Sequence, residues 1–260
     1  MKDVQNEVGP EKFNIETLAT ELEQLNEEVD APNQRPLTRA LAKMTGFLAF
    51  VFALFHVYTA LYPLPNMVQR SVHVSFGLVL AFMLYKTRKA ERRSQVPWYD
   101  WAAIVVAILA ALYIAVNYVD ILRNPSESTW FSLTLGLLLM IVVLEGARRV
   151  IGLAFPLIGL AMLAYAFLGP HLPGMLAHRG VTFQQMFQQL YLSPLGFYGT
   201  VTGVIATVIS VFIVFGSILL VTGGGKTFMD LALLLAGRQV GGPAKVSVVS
   251  SGMFGLVNGS

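Results

Sequence analysis

Apolar residues in this chain gather into long unbroken runs, separated by short clusters of proline, glycine and charge. A helix rises about 1.5 Å per residue, so about 20 apolar residues cross a hydrocarbon core about 30 Å thick. The pattern predicts six spans: Ala40–Tyr62, Met67–Tyr85, Trp98–Tyr118, Trp130–Gly146, Val150–Leu168 and Gly199–Val221. Pro63-Leu64-Pro65, the run Lys86–Arg93, an outer loop Asp120–Thr129, the pair Arg148-Arg149 and Gly169–Gly174 punctuate them. Trp98, Tyr99 and Trp101 at one border and Tyr118 at the other suit the headgroup level. The expected fold class is all-α, a polytopic helical membrane protein with about six transmembrane helices, interfacial helices and the start of a re-entrant hairpin.

Three shorter segments have helical periodicity without the length to span. Ile15, Leu18, Leu22, Leu25 and Val29 fall at steps of three and four, predicting a short helix in an acidic tail. Phe183, Met186, Phe187 and Leu190 share one face of Val181–Leu192, which predicts a helix lying at the outer interface. Thr227–Ala236 is a short apolar helix carrying Asp230 and closed by Gly237-Arg238.

Composition agrees: 55% of the 260 residues are hydrophobic and only 13% are charged. The formal charge of +3 conceals an asymmetry. Residues 1–36 carry nine acids and three bases; the remainder carries six acids and fifteen bases. The bases lie in short loops, where they set orientation rather than bind nucleic acid. Lys86, Arg88, Lys89, Arg92 and Arg93 make the strongest such signal, and Arg148 and Arg149 repeat it two spans later. Both clusters are expected inside, which places the N-terminus in the cytoplasm of a multi-pass protein of an inner membrane. The first apolar run starts near Ala40, so the first span is expected to act as the membrane signal. There is no cysteine, which excludes disulfides and thiolate chemistry.

Little in the sequence points to catalysis. No nucleophile, base and carboxylate come together, so an enzyme is not expected, nor any cofactor. Gly225-Lys226-Thr227 resembles the end of a phosphate loop, but the required earlier glycine is Leu220 and a span precedes it; a glycine hinge is the simpler reading. His56 and His73 stand in spans without a carboxylate nearby and read as packing and hydrogen-bonding groups rather than a relay. Glu145 with Arg148 and Arg149 predicts an intrahelical ion pair. Asn117 and Asp120 are expected to cap the third span. Gly199/Gly203 and Gly255/Gly259 are small-xxx-small steps that permit close helix approach.

The stretch Gly241–Ser260 carries the most distinctive residue types. Pro243 suits a first helical turn, and Val246, Val248, Val249, Met253 and Phe254 supply apolar surface. Ser247, Ser250, Ser251, Asn258 and Ser260 supply oxygens, while Gly252, Gly255 and Gly259 permit a broken helix. Carbonyls and hydroxyls freed at such a break suit a dehydrated Na⁺, and freed N–H groups suit a carboxylate. An ordinary Gly/Ser-rich packing helix is the other reading.

These residues resemble a known family. The "GGGK" turn, Asp230, "LAGR" at Leu235–Arg238 and "GGPAKVSVVSSGMFG" at Gly241–Gly255 look like the first hairpin region of the large membrane subunit of tripartite ATP-independent periplasmic (TRAP) transporters. "LEGARR" at Leu144–Arg149 and "GPHLPGMLAHRG" at Gly169–Gly180 look like the junction and outer loop of fused permeases of the TAXI-associated branch. The resemblance implies an acidic tail with a short helix at 1–37, a four-span small-subunit-like part at 38–149 and the start of the large-subunit-like transport part at 150–260. It implies Na⁺-coupled uptake of a small carboxylate handed over by a periplasmic solute-binding protein, in contact with membrane lipid and without nucleic acid. Substrate or ion binding falls to Ser251, Gly255, Asn258, Gly259 and Ser260, with Na⁺ at Asn258 and Ser260. The family's tip usually reads Ser-Gly-Ser; here it is Asn258-Gly259-Ser260, and Asn adds an NH₂ donor to the oxygen it keeps. The family's large subunit continues past this tip to a second hairpin, so the chain is expected to be a fragment or an interrupted frame. A non-transporting membrane scaffold is the reading from another class.

Overall fold

The computed structural model describes residues 34–87, 95–124, 127–237 and 241–258, the last three of these as backbone only. The expected tail helix at 15–29 and the bases Arg88, Lys89, Arg92 and Arg93 lie outside the described residues, as do Gly259 and Ser260. Among the described residues the fold is all helical, apart from one isolated bridge between Gln34 and Tyr85. In chain order the helices are α1 (Arg39–Leu61), α2 (Asn66–Leu84), α3 (Trp98–Arg123), α4 (Trp130–Val150), α5 (Ala154–Leu168), α6 (Phe183–Tyr191), α7 (Thr200–Val221), α8 (Gly224–Ala236) and α9 (Gly242–Asn258). Six of them, α1 to α5 and α7, are long and apolar enough to cross a membrane, α5 when the turn Gly169–His171 is included.

Local chemistry sets the ends. Thr38 caps α1 by accepting from the Leu41 amide at 3.4 Å. A reciprocal pair caps α4: Ser132 N donates to Thr129 Oγ1 and Thr129 N to Ser132 Oγ, each at 3.1 Å. Pro65 and Pro97 stand just before α2 and α3, where a missing N–H costs nothing.

Two boundaries differ from expectation. The helix predicted to stop at Tyr118 continues to Arg123. Asn117 does not cap it; its Nδ2 donates to the Tyr113 carbonyl one turn back, at 2.9 Å. Asp120 lies within the helix, and its carbonyl accepts from the Asn124 amide at 2.9 Å. Arg123 is the last helical residue because Asn124 precedes Pro125, a position that disfavours the helical region. The fifth span starts at Ala154 rather than Val150, because α4 runs to Val150 and the chain turns at Gly152, whose φ of 110° is open to glycine.

The core sits among α2, α3 and α4. Leu41, Val79, Phe82, Met83, Ile104 and Val142 fill it toward the end that carries the arginines. Met67, Ala110, Ile114, Leu135, Leu139, Tyr191, Leu192 and Tyr198 fill it toward the other end. Helix α6 joins this second cluster. Its capping box is complete, with Gln185 N donating to Thr182 Oγ1 at 3.3 Å and Thr182 N to Gln185 Oε1 at 3.0 Å. Phe187 and Tyr191 are buried, while Phe183 is exposed and packs on Phe187 with ring centroids 4.6 Å apart. The apolar face predicted for an interface is thus spent largely on protein. Gly136 on α4 makes room for this: a Cβ there would stand 3.0 Å from the Tyr191 Cβ.

Candidate functional site: the terminal helical pair and its seat

The chain leaves α7 through a tight turn at Gly223, whose φ is 91°. Helix α8 then begins at Gly224, three residues earlier than predicted, so Gly225 and Lys226 lie in its first turn rather than in a loop. Lys226 is exposed there. A second left-handed glycine, Gly241 at φ 74°, precedes α9. The two helices pack through small residues: Ala232 and Ala236 of α8 against Val246 and Val249 of α9. Phe228 meets Phe254 edge-on at 5.5 Å.

Spacing on α9 divides its faces. Val246, Val249, Ser250 and Met253 turn toward protein. Ser247 and Ser251 lie on the exposed side; the Ser247 hydroxyl donates to the Pro243 carbonyl at 3.0 Å. Gly255 is half-buried, one turn on from Ser251. Asn258 ends the helix, seven residues from Ser251 and so on the same stripe. The break that Gly252 and Gly255 would permit does not occur: α9 is continuous from Gly242 to Asn258.

The seat for this pair is α7, and polar groups bind α7 and its approach to α2. Residues Ile205–Ile209 form a π-helical segment in which the usual carbonyl ladder slips by one residue. The Ala206 carbonyl accepts from Gln69 Nε2 at 3.5 Å. Arg70 Nη1 donates to the carbonyls of Tyr198 and Gly199 at 2.9 and 3.1 Å, just before α7. Gly203 makes this possible, since a Cβ there would stand 2.7 Å from the Arg70 guanidinium carbon. The Gly199/Gly203 step therefore admits an arginine. His73 Nδ1 and His56 Nε2 lie 3.1 Å apart, so the two imidazoles that look isolated in sequence form one hydrogen bond between α1 and α2.

At the arginine-bearing end stands a charge network. Asp100, fully buried at the start of α3, pairs with Arg35 at 2.6 Å and with Arg149 at 2.7 Å. Glu145 pairs with Arg148 at 2.7 Å and with Arg149 at 2.8 Å, as the spacing on α4 predicts. Arg149 is buried, over the Phe82 ring at 4.6 Å. Arg35 also donates to the Gln95 carbonyl at 2.8 Å, and Arg148 to the Thr87 carbonyl at 3.0 Å. Of the bases read as orientation signals, Arg149 thus belongs to the interior, while Lys86 is half-buried and Arg148 half-exposed.

Sequence reading missed Asp100, Arg35, Gln69 and Arg70. A signal existed for Asp100: an acid opening an apolar span, with no base within four residues, requires a distant partner. At the other end Tyr191 donates to the Ala110 carbonyl at 2.9 Å, and burial pushes the Tyr191 and Tyr198 hydroxyls well above the usual phenol range.

Among the described residues no group of three or more His, Cys, Asp or Glu could hold a metal ion. Residues 138–260, from within α4 to the end of the chain, match the family model described as tripartite ATP-independent periplasmic transporter, DctM component. No curated protein and no solved structure matches the chain.

Proposed function

We propose that the chain is the fused permease of a TRAP transporter, a reading supported by the match of residues 138–260 to the family model described as the DctM component. It takes up a small organic acid delivered by a periplasmic solute-binding protein, and a Na⁺ gradient drives the uptake. The observation that carries this reading is that the matched segment, which runs from within α4 through α9, continues a packed four-helix unit, α1 to α4. That unit takes the small-subunit part at 38–149, and the transport part starts at 150. The match opens at residue 138, inside α4 and close to that boundary.

In this reading the end bearing Lys86, Arg148 and Arg149 faces the cytoplasm of a cell whose inner membrane holds the protein. Helices α8 and α9 then form a hairpin entering from that side. Ser251, Gly255 and Asn258 lie along one stripe, and with Gly259 and Ser260 they offer uncharged oxygens to the coupling ion and hydroxyl and amide donors to the substrate carboxylate. A dehydrated monovalent cation needs such oxygens to replace its hydration shell.

Reconstituted transporter containing this chain, supplied with its binding protein and labelled organic acids, tests the proposal. Uptake should require both the binding protein and an inward Na⁺ gradient, and should not respond to ATP. Uptake that proceeds without the binding protein, or that ATP drives, overturns it. In the same preparation Ser260→Ala should weaken the dependence on Na⁺; an unchanged dependence removes Ser260 from the ion site.

A further inference from the structure

The segment between α5 and α6 folds back on the end of α5. The Val181 amide donates to the Ala166 carbonyl and the His178 amide to the Gly169 carbonyl, both at 3.2 Å. The Tyr165 hydroxyl donates to the Leu176 carbonyl at 3.3 Å. At the centre is the His178 ring, against the Tyr165 ring with centroids 4.6 Å apart. It occupies space that only glycine leaves open, since a Cβ on Gly169 would lie 2.2 Å from it.

Both ring nitrogens are engaged. The Gly180 amide meets Nδ1 at 3.0 Å, and Nε2 meets the Tyr165 carbonyl at 3.0 Å. An amide N–H only donates, so Nδ1 must accept and carries no proton. A carbonyl only accepts, so Nε2 must carry one. The geometry therefore selects a single neutral tautomer. A proton added at Nδ1 sets two donors against each other across 3.0 Å and forfeits the Gly180 bond.

We propose that His178 is a protonation-sensitive staple, closed when neutral and released when the ring is protonated, which holds the α5–α6 segment onto the end of α5. The groups around it favour release once a proton arrives. Tyr165 faces the ring from α5, and His171 and Arg179 belong to the same segment. Helix α6 brings no charged side chain, and its Tyr191 is turned to Ala110. The sequence has no acid between Glu145 and Asp230. Among the described residues no ion pair includes His178. On the orientation proposed above, which this step assumes, the staple meets the outer compartment, where the binding protein arrives.

Hydrogen–deuterium exchange of the full chain in nanodiscs tests this. Protection of the peptide containing Gly180 is measured at pH 7.5 and 5.5 relative to a peptide from α3, so the intrinsic pH dependence of exchange cancels. Relative protection should fall several-fold at the lower pH, ten-fold being the ceiling for one imidazole with the ordinary free pKa of about 6.5. In His178→Gln, whose amide can both donate and accept without titrating, it should not fall. Equal protection of the wild type at both pH values, or the same fall in His178→Gln, overturns the proposal. If His178→Gln is unprotected throughout, the wild-type pair of measurements decides, together with Gly169→Ala. That substitution displaces the ring and should leave the peptide unprotected at both pH values; protection that still falls with pH in Gly169→Ala overturns the proposal. In vesicles of known sidedness, acid on the outer face alone should release the staple. Release by acid on the inner face alone would refute the orientation and leave the staple standing.

Discussion

The α2–α4 unit and the α7–α9 unit are both built from apolar helices, and the more apolar span, α7, is buried less. Inside the protein lies 39% of the membrane-crossing stretch of α2 and of α4, against 17% for α7. The first unit has two apolar clusters and a charge network at one end. The second has one small cluster of alanine and valine, and leaves Leu231, Leu233, Leu234, Leu235 and Val248 exposed. Lipid is as apolar as leucine, so apolar burial alone does not drive helices together in a membrane. What separates the two units is where polar groups and small residues are placed. The first is tied to itself by ion pairs and hydrogen bonds; the second is tied to the first by a few polar bonds on α2, and internally by small-residue contact.

The comparison can be broken at its firmest point first. Asp100→Ala leaves Arg35 and Arg149 buried without their shared carboxylate, and should destabilise the α2–α4 unit by about 3–5 kcal/mol. Loss of folded protein in detergent, read by thermal unfolding, measures it; a wild-type midpoint would mean the network is incidental. Next, Arg70→Ala removes two charge-assisted hydrogen bonds to the start of α7, at a cost of about 1.5–3 kcal/mol. It should act on the second unit only, so trypsin cleavage after the exposed Lys226 should quicken while the α2–α4 unit stays resistant. A smaller effect, about 1 kcal/mol, is expected of Tyr191→Phe, which keeps the packing of α6 and removes the hydroxyl's bond to the Ala110 carbonyl; the unfolding midpoint reads it. Smallest is Ser251→Ala on the exposed stripe of α9, within about 0.5 kcal/mol of wild type in stability. A change in Na⁺ dependence of uptake without a change in midpoint would then assign Ser251 to function, and a large drop in midpoint would assign it to packing.

How much was legible follows from the range of each interaction. Five of the six spans begin within about a turn of where the apolar pattern places them, because length and hydropathy are local properties. The Glu145–Arg148–Arg149 pairing was legible for the same reason: three and four residues on one helix are neighbours whatever the fold. The His56–His73 bond joins residues on two helices, and only the register between α1 and α2 brings their rings together. The candidate site divides similarly. Helix spacing puts Ser251, Gly255 and Asn258 on one stripe of α9; the continuity of α9 through Gly252 and Gly255 was not legible, because glycine permits a break without requiring one.

By itself the sequence determined that this chain is a bundle of membrane-length helices, roughly where they start and stop, and which short pairs share a turn. Each of these rests on periodicity and on the energetic cost of a bare backbone in hydrocarbon, which act within a segment. The tertiary structure alone decided which polar groups meet: Asp100 with two arginines from distant segments, Arg70 with the carbonyls that open α7, His178 with the end of α5. A buried polar group must find a partner, but its own neighbourhood in the chain does not say which one, so that choice belongs to the packing.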